Sequence, residues 1–174
     1  MVADDGGETY QTTANPFTGN EQSIAQLGDG SLYMNGRGTQ FPWGNRTSYR
    51  SRDGGATWTA GAPTPLTDVN CEAAVIAVVT DAASATAGSS TVLFLSEPTG
   101  PGRVSFRVHC SCDGGITWPS SLVTNPGQVA AYSSLLALPP VAGGSGKGRL
   151  LAVWEQHPNQ LAHIYDTDWC TCMQ

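Results

Sequence analysis

Charged residues are scarce in this chain. They make up 13% of its 174 residues, about half the roughly 25% of an ordinary soluble domain. Only 8 residues are Lys or Arg, against 14 Asp or Glu, for a formal charge of −6. So few cations argue against nucleic acid and against anionic membrane surfaces as main partners. No apolar run approaches the roughly 18 residues of a membrane-spanning helix. The opening residues, MVADDGGETYQ, lack the basic and apolar blocks of a secretory signal. Sustained helical periodicity is absent as well. An even cysteine count is also missing: with five, at least one thiol is free or pairs with another chain. Cys110/Cys112 and Cys170/Cys172 are C-x-C pairs, and Cys71 stands alone. A zinc site would need four convergent thiolates. Ordinary strand cysteines are the expectation, with no metal and no cofactor.

What the chain has in quantity is turn formers: 21 Gly and 11 Pro. Low charge with many turn residues points to numerous short strands. A hydrophobic fraction of 40% with five Trp suffices for a core and rules out a disordered chain. The length fits one compact domain.

One octapeptide recurs. Ser51 to Trp58 reads S-R-D-G-G-A-T-W, and Ser111 to Trp118 reads S-C-D-G-G-I-T-W. A degenerate copy, Ala3 to Tyr10, has Ala for Ser and Tyr for Trp. Asp5, Asp53 and Asp113 therefore stand 48 and 60 residues apart. Periods near 50 residues indicate propeller blades of about four strands each. The motif has a physical logic. Ser and Asp accept hydrogen bonds from nearby backbone N–H groups, and the glycine pair takes positive φ. Thr and Trp open the next strand, with the indole over the hairpin. Ser51, Asp53, Gly55 and Trp58, and likewise Ser111, Asp113, Gly115 and Trp118, read as fold staples.

The strand pattern between the repeats is regular. Segments 21–27, 31–36, 46–52 and 57–61 make one blade, and 72–80, 90–96, 103–112 and 116–124 a second. Segments 131–138, 148–155 and 161–168 make a third that lacks its outer strand. A leftover outer strand lies near 9–14, and 81–89 is a solvated loop. The expected fold is all-β: a partial six-bladed β-propeller within 1–174, with blades at about 1–14 (remnant), 21–62, 72–125 and 131–174. Three blades leave open sheet edges through which copies could self-associate.

The octapeptide is the Asp box, or BNR repeat, shared by sialidases, sortilin-type receptors and other propellers. From about residue 17 to 166 the chain resembles the C-terminal half of a sialidase (exo-α-neuraminidase). Asn20-Glu21-Gln22, then Leu27-Gly28-Asp29-Gly30-Ser31-Leu32-Tyr33-Met34-Asn35-Gly36-Arg37, resembles the family's catalytic Glu with a triad Arg ending the next strand. Gly102-Arg103 resembles the position of a second triad Arg. Ala131-Tyr132-Ser133-Ser134-Leu135 is similar to the motif that carries the tyrosine nucleophile, and Trp154-Glu155 to the family's buried Glu that orients the remaining Arg. Cys71-Glu72-Ala73-Ala74-Val75 sits where sialidases commonly have C-x-G-S-V.

The resemblance implies a retaining glycoside hydrolase that releases terminal sialic acid from glycoproteins, gangliosides or oligosaccharides. Tyr132 would attack, Glu21 would take its proton, Arg37 and Arg103 would hold the substrate carboxylate, and Glu155 would support the site. These residue types suit the chemistry. Guanidiniums grip a carboxylate with paired donors. A neutral tyrosine activated by a carboxylate base avoids the repulsion an anionic nucleophile would meet beside that carboxylate. Without the motif order, Glu21 would read as a solvated strand start, Tyr132 as a core aromatic, and the two arginines as surface charges. Arg50, Arg52 and Arg107 read as solvated, and the histidines show no pattern. The family's first Arg, in an Arg-Ile-Pro motif, and its Asp acid have no counterpart here; Phe41-Pro42-Trp43 is no substitute. The expectation is a fragment or partial gene model, inactive or nearly so alone. The alternative is a non-catalytic Asp-box propeller that binds glycans or proteins. The sequon Asn45-Arg46-Thr47 does not choose among extracellular, lysosomal and cytoplasmic locations.

Overall fold

A computed structural model describes residues 6–9, 12, 17–38, 44–61, 64–79, 91–139 and 148–173. Asp5, most of the strand expected near 9–14, the 81–89 loop and Trp43 lie outside them. The described residues form thirteen strands and one short 3-10 turn. The first sheet is an antiparallel meander of β1 (Asn20–Gln26), β2 (Leu32–Arg37), β4 (Thr47–Ser51) and β5 (Thr59–Ala60). A two-stranded patch pairs β3 (Gly44–Asn45) with β6 (Thr67–Asp68). The second sheet runs β7 (Ala74–Val79), β8 (Thr91–Gly100), β9 (Val104–Ser111), β10 (Ser120–Val123). The third has β11 (Ser133–Leu138), β12 (Arg149–Gln156) and β13 (Asn159–Asp166). This is the all-β, incomplete propeller that the repeat spacing predicts. The β3/β6 pair is additional: two residues per strand leave no period for a sequence reading to detect.

The middle sheet is buried on both faces, and its sequence shows why. β8 opens T-V-L-F-L-S, with the apolar run Val92 to Leu95 at its centre, and successive side chains point to opposite faces. Val92 and Phe94 join Phe106, Val108, Leu135, Leu150, Ala152 and Trp154 in the core against the third sheet. Leu93 and Leu95 join Ala25, Tyr33, Ala73 and Val75 in the core against the first sheet. Phe106 stacks on Trp154 with ring centroids 4.4 Å apart. Each such buried side chain contributes about 1.5–3 kcal/mol relative to exposure. The leading strands β1, β7 and β11 lie side by side, which brings their starts to one end of the molecule.

Both complete Asp boxes close as their chemistry requires. Ser51 Oγ donates to Asp53 Oδ1 at 2.8 Å and accepts from Gly55 N at 2.8 Å. Thr57 donates from its N and its Oγ1 to the Asp53 carboxylate at 2.8 and 2.6 Å. Ser111, Asp113, Gly115 and Thr117 repeat the pattern. Gly54/Gly55 have φ of 69° and 94°, and Gly114/Gly115 of 73° and 90°. Gly6 and Gly7, at 75° and 92°, take the same turn in the degenerate copy. At Gly115 a β-carbon would also stand 2.6 Å from the Tyr33 ring.

The cysteines correct the expectation of ordinary strand thiols. Cys110–Cys170 and Cys112–Cys172 are disulfides, each closing 60 residues. They tie the end of β9 to the turn at Thr171–Met173. Cys110 lies near the end of β9 and Cys112 just beyond it, where alternate residues of extended chain share a face, while Cys170 and Cys172 flank Thr171 at the turn, so the two segments pair twice. Cys71 is the free, buried one; burial pushes its thiol up to about 11.

Candidate active site

Four of the expected site residues meet at the end where β1, β7 and β11 begin. Glu21 is in β1 at a break in register with β2, between Asn20 and Gln22. Its φ is 46°, a left-handed value uncommon for a non-glycine residue. Such a bulge re-aims the side chain that occupies it. Arg37 ends β2, Arg103 sits in the β8–β9 turn with φ of 60°, and Tyr132 immediately precedes β11.

The Tyr132 hydroxyl donates to Glu21 Oε1 at 2.7 Å across 111 residues of sequence. Arg37 donates from a terminal nitrogen to Glu21 Oε2 at 2.5 Å. The Arg103 guanidinium lies over the Tyr132 ring, 5.6 Å from its centroid. Desolvation pushes the Glu21 carboxyl up. Hydrogen bonds from Arg37 and Tyr132, with the charges of Arg37 and Arg103, outweigh it and hold Glu21 below the ordinary value of 4.5. The hydrogen bond to the Glu21 carboxylate is the largest influence on Tyr132 and raises its phenol above 10. Tyr132 is thus a neutral phenol beside an ionised base, with two guanidiniums at hand.

Glu155 departs from the expectation of burial, because its side chain is exposed. Its main chain supports Tyr132 instead. Glu155 N donates to Tyr132 O, and Ala131 N donates to Glu155 O, both at 2.9 Å. Arg50 is not freely solvated either: its guanidinium lies 5.0 Å from the Tyr33 ring centroid.

Several residues behind the site went unread in the sequence. Arg46 is 1% exposed. It donates to Asn35 Oδ1 at 2.5 Å, to Cys71 O at 3.0 Å and to Glu97 Oε2 at 3.3 Å, and lies 3.6 Å from Asp68 Oδ1. His109 Nε2 stands 3.1 Å from Glu97 Oε1. Nothing in the local sequence marks an arginine as buried. Asn70 and Glu72 flank Cys71. Glu72 accepts the Ser133 N–H at 2.9 Å, and burial raises its carboxyl, with Glu21 and Glu155 adding to the rise. The Asp-Val-Asn stretch before Cys71 was the available signal, since Asp and Asn mark turns.

Antiparallel blades stapled by Asp boxes, with a tyrosine–carboxylate pair at their shared end, define a class of repeat protein. The chain matches the BNR repeat-like domain family over residues 1–141 and belongs to it. It is 32% identical over 147 residues to a sialidase of Micromonospora viridifaciens, covering 80% of this chain and 22% of that one. It is 29% identical over 140 residues to a sialidase of Bacteroides fragilis, covering 78% and 25%. Among solved structures, the Hadza microbial sialidase Hz136 superposes with a TM-score of 0.70 at 28% identity, covering 92% of this chain and 30% of that chain. The chain thus spans about a quarter of the curated relatives' length. These relatives are sialidases, a group of glycoside hydrolases.

Proposed function

We propose that this chain is the portion of a sialidase that carries the nucleophile, its base and two carboxylate-binding arginines. The observation that carries the reading is the 2.7 Å hydrogen bond from Tyr132 to Glu21 beside Arg37 and Arg103. A sialic acid carboxylate would dock on the two guanidiniums. Tyr132 Oη would then attack the anomeric carbon as its proton passes to Glu21, and the bond to the leaving oxygen would break. Water would cleave the glycosyl–tyrosine bond in a second displacement, so configuration at the anomeric carbon is retained. Substrates are terminal sialosides of glycoproteins, gangliosides or oligosaccharides. The proton for a sugar leaving group and a third arginine come, in this reading, from other blades of the same enzyme.

That division of labour suggests the test. A fluoride leaving group needs no proton, so a 3-fluorinated sialosyl fluoride removes the demand for an acid. Peptide mass spectrometry of the treated chain should locate one glycosyl adduct, on Tyr132. No adduct, or an adduct that persists in Tyr132→Phe, would favour a non-catalytic Asp-box propeller instead.

A further inference from the structure

Asn70 touches both arginines. Its side-chain oxygen accepts Arg37 Nε at 2.8 Å, and its main-chain oxygen accepts an Arg103 terminal nitrogen at 2.6 Å. An arginine can only donate, so the amide oxygen is the atom that faces Arg37. The residue sits at φ of 59°, a left-handed conformation that Asn tolerates better than most side chains. That conformation is itself fastened. Asp68, 3% exposed, accepts Asn70 N at 2.7 Å and Cys71 N at 3.2 Å on Oδ1. Its other oxygen accepts Gly38 N, the residue after Arg37. Two residues beyond Asn70, Glu72 holds Ser133 N, next to Tyr132. One five-residue turn, Asp68 to Glu72, therefore grips the frames of Arg37, Arg103 and Tyr132.

We propose that Asn70 is a positioning residue that fixes the separation and aim of the two guanidiniums, through its side chain for Arg37 and its backbone for Arg103. The proposal deepens the sialidase reading and rests on it for the ligand. Arginines held before a ligand arrives need no ordering when it binds, which is where pre-organisation gains affinity. With Nε tied to Asn70 and one terminal nitrogen to Glu21, the Arg37 side chain has a single orientation available for an incoming carboxylate.

Asn70→Gly separates the two contacts. Glycine adopts the same φ without strain, retains the carbonyl for Arg103 and the N–H for Asp68, and removes only the acceptor for Arg37. Hydrogen exchange of the arginine Nε–H groups, read by NMR on the whole chain, should speed up about tenfold at Arg37. Exchange at Arg103 should stay unchanged. Asn70→Asp, which restores an oxygen acceptor, should return the Arg37 protection. Exchange at Arg37 that does not respond to Asn70→Gly, or that rises equally at both arginines, overturns the proposal. The ligand arm uses N-acetylneuraminic acid itself, whose affinity should fall about tenfold in Asn70→Gly. If the unaltered chain shows no affinity for it while the exchange pattern holds, the sialidase reading falls and the positioning role stands. Unchanged affinity in Asn70→Gly, with the unaltered chain binding, overturns the proposal.

Discussion

The Asp boxes and the tyrosine site are built on opposite plans. In each box, residues two to four apart hydrogen-bond to one another, and the turn is nearly complete within eight residues. In the site, the central bond joins residues 111 apart, and Arg103 reaches Asn70 across 33. A box can form wherever its sequence occurs. The site exists only once three sheets have packed. Local bonding makes the box a repeatable staple with no chemistry of its own. Long-range assembly lets the site combine a phenol, a carboxylate and two guanidiniums that no single turn could present.

The sharpest way to break that contrast is at Glu21, the proposed base. Glu21→Gln keeps the shape and removes the proton acceptor, so the rate of labelling of Tyr132 by the sialosyl fluoride should fall about 10²–10⁴-fold. The acid limb of the labelling rate in the unaltered chain should lie below pH 4.5, because Glu21 is held below that value and acts ionised. A rate indifferent to Glu21→Gln would leave the site with no more chemistry than a box.

Next in size is the buried frame behind the site. Arg46→Ala leaves Glu97 and Asp68 buried without their cation. Breaking such a buried pair costs about 3–5 kcal/mol, to be read from denaturant melts as a lower midpoint. Retention of the midpoint would show that the frame carries no such load.

A single staple matters less. Asp113→Ala removes the carboxylate that collects Ser111, Ile116 and Thr117. Its largely exposed position limits the loss to about 1 kcal/mol, again from melts, with labelling of Tyr132 unchanged. A loss of labelling equal to that of Glu21→Gln would erase the distinction between staple and site.

The smallest effect is confined to acid. Hydrogen bonds from Thr57 hold the Asp53 carboxyl at about 2, against an ordinary 3.8. A depressed folded-state value means stability that is fully present above about pH 3.8 and is lost as pH falls through about 2. Asp53→Asn should flatten the stability–pH curve in that window and leave its neutral part parallel.

The strand pattern was largely legible because the Asp boxes and the turn-bounded segments between them are local signals. Segments 21–27, 31–36 and 46–52 correspond to Asn20–Gln26, Leu32–Arg37 and Thr47–Ser51. β8 runs on to Gly100, past the expected end at residue 96, because pairing with β9 continues through Pro98 and Gly100. Glu21, Arg37, Arg103 and Tyr132 could be named only through family motif order, since each alone looks like a surface charge or an ordinary aromatic. Arg46, Asp68 and Asn70 stayed hidden because their partners lie in other strands and turns.

By itself, the sequence determined the box turns and the approximate placement of most strands between them, since both depend on residues a few positions apart. Tertiary structure alone decided which cysteines pair, that Arg46 is buried among carboxylates, that Glu155 is exposed, and that Asn70 holds two arginines. Each of those outcomes is a contact between distant segments, and only the packed sheets bring those segments within hydrogen-bonding distance.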